Sequence, residues 1–351
     1  MKKLVLLALC LALIGIPAMA DTWLPGEIVA ETEVLEPETM ELIAVLEPGA
    51  SVYVLRYESP RSLIYWEGVD LIGWVDTAAV KLLVEPEFPD GDVLPVDLSG
   101  DSADITEEGY YSLDLDGDGV DETVCVFSMP SGVEDSTVGV LVREEDGAEG
   151  MFISSVIFAE KVLVVDVDPA APGVEILVSG DVMSSDYETL CLRWDGETLS
   201  RVAFRALDGT MGDCLYAGAD VFLEGLLTVV GKVDVLGSWW GSLTYGWDGE
   251  ALSPLKGDIW RFDRGEGDEV DDRVLVTVRE IPVTYEDGTK GELPAGTTLW
   301  PIATDGSTTV WYETADGGVG TIAIERNEED YAWYIGGVSE YECFEELPYA
   351  G

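Results

Sequence analysis

Tyr110-Tyr111-Ser112-Leu113-Asp114-Leu115-Asp116-Gly117-Asp118-Gly119-Val120-Asp121-Glu122-Thr123-Val124-Cys125-Val126-Phe127 is the stretch from which the rest of the chain can be read. Aromatic and β-branched runs flank a centre of Asp and Gly, the pattern of two strands joined by a curled loop. Asp114, Asp116, Asp118 and Glu122 occupy the first, third, fifth and ninth places of a D-x-D-x-D-G-x-x-E segment. Calcium is a hard cation that takes about six to eight oxygens, and alternate carboxylates on a curled loop can converge on it. Gly119, sixth in the loop, permits the sharp turn, and Val120, seventh, offers its backbone carbonyl. An EF-hand would need flanking helices and a glutamate at the twelfth place, where Cys125 stands. The plainer reading is a polar turn whose aspartates accept from backbone amides. Against it, clustered carboxylates repel unless a cation sits between them.

A diluted copy of the loop runs through Val165-Asp166-Val167-Asp168-Pro169 to Gly173-Val174-Glu175-Ile176, with Ala170 in place of the third aspartate. A second recurring element, Trp-Asp-Gly-Glu-x-Leu-Ser, starts at Trp194 and again at Trp247, with Asp146-Gly147 as an earlier relative. Asp-Gly between alternating runs is a strong hairpin signal, and a period near 50 residues points to repeated sheet units. The aspartate loop and the strand after it resemble FG-GAP or VCBS-type repeats of integrin-α-like propellers. That resemblance implies three antiparallel units within 102–262, the third lacking the aspartate loop. Three is fewer than the roughly four to eight blades of a closed propeller, so the expectation is a partial, propeller-like block.

The first block, 21–86, has short alternating runs at Val34-Leu35-Glu36-Pro37, Ile43-Ala44-Val45-Leu46-Glu47-Pro48-Gly49, Val52-Tyr53-Val54-Leu55 and Gly73-Trp74-Val75. The Pro-Gly turn and the closing Gly-Trp-Val resemble a bacterial SH3-type domain, with Glu36 where that family usually has Arg. The last block, 274–351, has Leu293-Pro294-Ala295-Gly296-Thr297 and Val310-Trp311-Tyr312 but no Gly-Trp-Val. It is similar to a diverged second copy. The expected architecture is therefore all-β, two small SH3-like barrels flanking the repeats, with joints at 87–101 and 263–273.

Composition limits the chemistry. The 351 residues include 70 acids, 18 bases and no histidine, for a net charge of -52, while 47% hydrophobic content is enough for folded cores. Without histidine, Ser-His-Asp and Cys-His catalysis and His-ligated metal sites are excluded. The negative field argues against nucleic acid and anionic lipid. Lys2 and Lys3, the apolar run Leu4 to Ile16 and Ala18-Met19-Ala20 form a secretory leader. The expectation is cleavage after Ala20, export from the cell and no stable membrane anchor. Cys10 follows Leu9 inside the apolar run and does not fit a lipoprotein site. Cys125, Cys191, Cys214 and Cys343 remain, enough for two disulfides in one of three pairings or for buried thiols.

Trp239-Trp240 lies among small residues. Neighbours on a strand point to opposite faces, so one indole faces outward unless both faces are covered. Trp239, Trp240, Trp66 and Trp74 are the candidate ligand-binding aromatics, each equally readable as core. The expected function is that of an exported, non-catalytic binding or adhesion-type protein. Its partner would be cell-wall peptide or glycan, or an extracellular protein, and calcium would stabilise its repeats. A glycan or cell-wall hydrolase (or its accessory subunit) using acids of the middle block, and a purely structural module, are the alternatives.

Overall fold

The computed structural model describes residues 23–349 except 38, 99–101, 130–136, 155–157, 183–186, 263–272 and 328–329. The expected leader, and the expected joint at 263–273 apart from Arg273, lie outside the described residues. The protein is all-β, and its contacts divide it into two units, Met1–Val202 and Ala203–Gly351.

The first unit begins with β1 (Leu24–Ile28), β2 (Thr32–Leu35), β3 (Leu42–Leu46), β4 (Ser51–Glu58), β5 (Arg61–Trp66), β6 (Leu71–Asp76) and β7 (Val80–Leu82). Alternation sets their inner face: Val34, Val52, Val54, Ile64 and Val75 are buried while their neighbours are more open. There follow β8 (Val93–Pro95), β9 (Ser102–Asp104), β10 (Gly109–Leu113), β11 (Glu122–Met129), β12 (Thr137–Arg143) and β13 (Glu149–Ser154). One sheet runs β3-β2-β6-β5-β4-β13-β12-β11-β10-β8, with β1 pairing both β4 and β7. It crosses from the first block into the first repeat because β4 outlasts its pairing with β1: Ser51 to Val54 face β1, whereas Arg56 to Glu58 face β13. The core is correspondingly shared, with Phe127, Met129, Leu141 and Ile153 packed among residues of β1 to β7. The stretch read as a joint at 87–101 contains β8, which pairs parallel with β10, and Phe88, whose ring lies 5.0 Å from that of Phe127.

A second sheet of this unit is built from β14 (Phe158–Val165), β15 (Glu175–Asp181), β16 (Tyr187–Trp194) and β17 (Leu199–Arg201), with β9 at the edge of β14. β15 is buried along both faces from Glu175 to Gly180, its Ile176-Leu177-Val178 run apolar on both and Glu175 and Ser179 buried as polar exceptions. β10 to β13 and β14 to β17 are thus two successive four-stranded antiparallel meanders. Each has an aspartate loop between its first two strands.

The second unit holds β18 (Phe204–Arg205), β19 (Met211–Gly212) and a third meander: β20 (Gly218–Leu223), β21 (Leu226–Asp234), β22 (Ser238–Trp247) and β23 (Leu252–Pro254). Here Glu224 and Gly225, both at positive φ, replace the aspartate loop with a two-residue hairpin turn. β24 (Trp260–Phe262) joins β22 to the last block. That block comprises β25 (Leu275–Val276), β26 (Ile281–Tyr285), β27 (Lys290–Leu293), β28 (Thr298–Thr304), β29 (Thr309–Thr314) and β30 (Val319–Ala323). A small sheet of β31 (Glu325–Arg326), β32 (Trp333–Ile335) and β33 (Val338–Ser339) follows, and then α1 (Glu340–Cys343).

The two end blocks share one connectivity. β3-β2-β6-β5-β4 in the first corresponds to β27-β26-β30-β29-β28 in the last, and β1 pairs β4 as β25 pairs β28. Their turns match as well: Gly49 and Gly296, at φ 91° and 83°, donate N–H to Ile28 O (2.7 Å) and Thr277 O (2.6 Å). Gly73-Trp74-Val75 has its counterpart in Gly320-Thr321-Ile322. A Cβ on Gly73 would lie 2.8 Å from Leu35 O, and one on Gly320 would lie 2.7 Å from Thr284 O, so both sites demand glycine for the same close approach.

Candidate metal centre

The first aspartate loop is closed by its own side chains. Asp114 accepts from Gly117 N at 2.8 Å and from Gly119 N at 3.0 Å through its two oxygens. Asp116 accepts from Asp118 N at 3.0 Å, and Asp118 accepts from Val120 N at 2.7 Å. Gly117 and Gly119 have φ of 79° and 91°, which lets the backbone turn back after each aspartate. The curl brings Asp114, Asp116, Asp118 and Glu122 together, one carboxylate oxygen from each lying within 4.8 Å of the others. The Val120 side chain is exposed, as on an outward loop tip.

Glu122 differs from the three aspartates. It opens β11, opposite Leu113, and is 1% exposed. Its Oε2 accepts from Leu115 N at 2.5 Å, whereas Oε1 is buried with no hydrogen-bond partner. A buried acceptor left unmade costs free energy, more so when it carries charge. Burial, followed by the charges of Glu144, Asp116 and Asp114, pushes the Glu122 carboxyl up to about 7, against the pull of the Leu115 amide. The arrangement is a carboxylate-only pocket with one desolvated oxygen, chemistry suited to a hard divalent cation.

The loop is also wedged into the second repeat. Val174 N donates to Leu115 O at 2.8 Å, and a Cβ on Gly117 would sit 2.3 Å from Pro172 Cβ. A Cβ on Gly196 would approach Asp116 Oδ2 to 2.9 Å, so the Trp-Asp-Gly-Glu turn of the second repeat abuts the cluster.

The diluted copy has the same frame. Glu175 opens β15 opposite Val165, is 4% exposed and accepts from Val167 N at 3.1 Å through Oε2. Its other oxygen, however, accepts from Arg193 Nε at 2.7 Å and also from Arg193 Nη2. Arg193 is the cross-strand neighbour of Glu175 on β16. Burial raises the Glu175 carboxyl, and Arg193 together with the Val167 amide pulls it back. Sequence reasoning passed over Arg193 and Glu144. The signal was the strand pairing, which puts Arg193 opposite Glu175, whereas Glu122 lies within the field of Glu144.

The candidate aromatics are dispersed. Trp239 is 4% exposed in the core of the second unit, its indole N–H donating to Val235 O at 3.0 Å, with Arg273 5.4 Å from its ring. Trp240, on the opposite face of β22, is 37% exposed and lies across from Lys232. Trp66 is half-buried against the core of the first block. Trp74 lines an open cleft of 420 Å³ with Glu31, Glu33, Arg61 and Asp76. The thiols of Cys125, Cys191 and Cys343 are buried and that of Cys214 is half-buried.

No protein-family model, curated protein or solved structure matches the chain.

Proposed function

We propose that this protein is an exported, non-catalytic binding protein whose first repeat is locked by calcium. The observation that carries the reading is the buried, unpartnered Oε1 of Glu122 at a cluster of three aspartates. Asp114, Asp116, Asp118 and Glu122 would hold the ion, with Val120 contributing its carbonyl. The ion would supply charge neutralisation and rigidity. Because the loop is wedged against Pro172 and Gly173, that rigidity reaches the second repeat.

The repeats are read as propeller-like units of the FG-GAP or VCBS kind. Three meanders, two of them with aspartate loops after the first strand, support this. The end blocks are read as two copies of one SH3-like barrel, supported by their common strand order. The cleft beside Trp74 offers an indole, one guanidinium and three carboxylates, groups suited to a peptide carrying both charges, such as a cell-wall peptide.

Calcium is expected to raise the melting temperature of the purified protein, and Asp116→Ala to abolish the gain. Melting curves that superimpose with calcium and with chelator would remove the metal from this reading. Sedimentation with purified cell wall then tests the partner, a Trp74→Ala variant serving as the binding-deficient control.

A further inference from the structure

The two end blocks finish the same sheet edge with opposite chemistry. β3 and β27 each stand at the end of a sheet path, and among the described residues each pairs with one strand alone, β2 or β26. A strand edge of this kind presents unpaired N–H and C=O groups, and proteins blunt it with charge. The last block does so: its buried Leu293 is preceded by Glu292, Gly291 and Lys290, the two charged side chains exposed. In the first block the matching buried leucine is Leu46, and Val45, Ala44 and Ile43 stand in those three places, with Leu42 before them. Leu42 and Val45 are 56% and 48% exposed, and Met40 and Ile43 are exposed as well. The shared fold therefore does not require an apolar edge, and an apolar run kept there marks a contact surface.

The charge around that edge is of one sign. From Trp23 to Leu55 the sequence holds seven glutamates and no base. Glu41 and Glu47 bracket β3, and Glu33 lies across from Val45, all three exposed. Two copies of the chain pairing antiparallel about Ala44 would set Glu41 of each opposite Glu47 of the other, and each molecule has a net charge of -52. A second copy is the wrong occupant. We infer that β3 is a docking edge for an extended segment of another protein, apolar along its middle and carrying Lys or Arg at both ends. Such a segment adds a strand beside β3. Its backbone takes up the open edge, its apolar side chains cover Leu42 and Val45, and its cations meet Glu41 and Glu47. This surface is separate from the cleft beside Trp74, none of whose lining residues lies on β3.

The probe is the synthetic peptide KKVTVTVKK, titrated onto the purified full chain by fluorescence anisotropy. Saturable binding is expected, with amide exchange slowed over 42–46 in the complex. KKGSGSGKK keeps the charge and lacks the apolar middle, whereas EEVTVTVEE reverses the charge; each should bind at least about tenfold more weakly. Val45→Lys gives β3 the blunting of its counterpart, and Glu41→Lys/Glu47→Lys removes the acidic bracket. Both should weaken binding of KKVTVTVKK by a similar factor and melt as the wild type does, since the altered side chains are exposed. Trp74→Ala should bind the probe like the wild type, which separates this edge from the cleft. KKGSGSGKK binding as tightly as KKVTVTVKK, or a complex that leaves exchange over 42–46 unchanged, overturns the proposal. So does a wild type that sediments as a dimer and becomes a monomer on Val45→Lys, because a second copy then occupies the edge.

Discussion

Replacing Glu122 with Gln should stabilise the calcium-free protein and disable its response to calcium. In the folded state the Glu122 carboxyl is raised from 4.5 to about 7, burial being the main cause. A folded-state value above the unfolded one means that the fold favours the neutral acid. The associated stability is whole below 4.5 and is lost as pH rises through about 7. The rise corresponds to at most about 3 kcal/mol, and the solvent-open side of the loop screens this to about 1–2 kcal/mol. The amide of Gln can still accept from Leu115 N and carries no charge to desolvate. Above pH 7 in chelator, Glu122→Gln should therefore melt higher than the wild type. The first unit, Met1–Val202, is of a size at which 1 kcal/mol moves the midpoint by about 2–4 °C, so the gain should be about 2–8 °C. Below 4.5 the two curves should converge. With calcium at about 100 times its Kd the wild type should gain about 2.7 kcal/mol, and Glu122→Gln much less. Thermal melts followed by circular dichroism across this pH range give both comparisons. A variant that melts below the wild type in chelator above pH 7, or that gains as much from calcium, would refute the reasoning.

Two further outcomes follow from the packing. Gly117→Ala combines a positive φ with a Cβ only 2.3 Å from Pro172, so it should cost about 2–4 kcal/mol in urea unfolding; the neighbouring Gly119→Ala, which meets nothing within 4 Å, should cost clearly less. Trp239→Ala removes a buried indole and should cost about 3–5 kcal/mol. Trp240→Ala, on the outer face, should cost about 1 kcal/mol or less. Similar losses for the two would contradict the facing of β22.

The parts of this fold legible in the sequence are those encoded over short range. The aspartate loop, the Asp-Gly hairpins and the parallel between Gly49 and Gly296 each depend on residues a few places apart, where turn geometry leaves a direct signature. Pairings set over long range left none. Nothing local says that β4 will exchange β1 for β13 halfway along, or that Val93 to Pro95 will pair parallel with β10. The same limit hid the charge logic of the site. Glu122 and Glu175 look alike in the sequence, and only the strand pairing reveals that Glu175 faces Arg193, whereas Glu122 lies within the field of Glu144. The closing motif of the last block escaped notice because Thr321 stands where the first block has Trp74. The glycine and the following buried aliphatic, Gly320 and Ile322, are the parts that the backbone requires.

The shared plan of the end blocks also marks a place where the chain accepts cargo. In the first block β6 passes directly into the short helical turn Thr77–Ala79, and Val29 N bonds to Ala79 O. In the last block the equivalent bond joins Val278 N to Cys343 O at the end of α1, yet β31, β32 and β33 intervene between β30 and that helix. One architecture thus carries a three-stranded passenger at a junction its twin leaves bare. The junction after Asp76 is where the first block would have to part to take such a passenger, and the bond from Thr77 N to Pro60 O is the tie it would break.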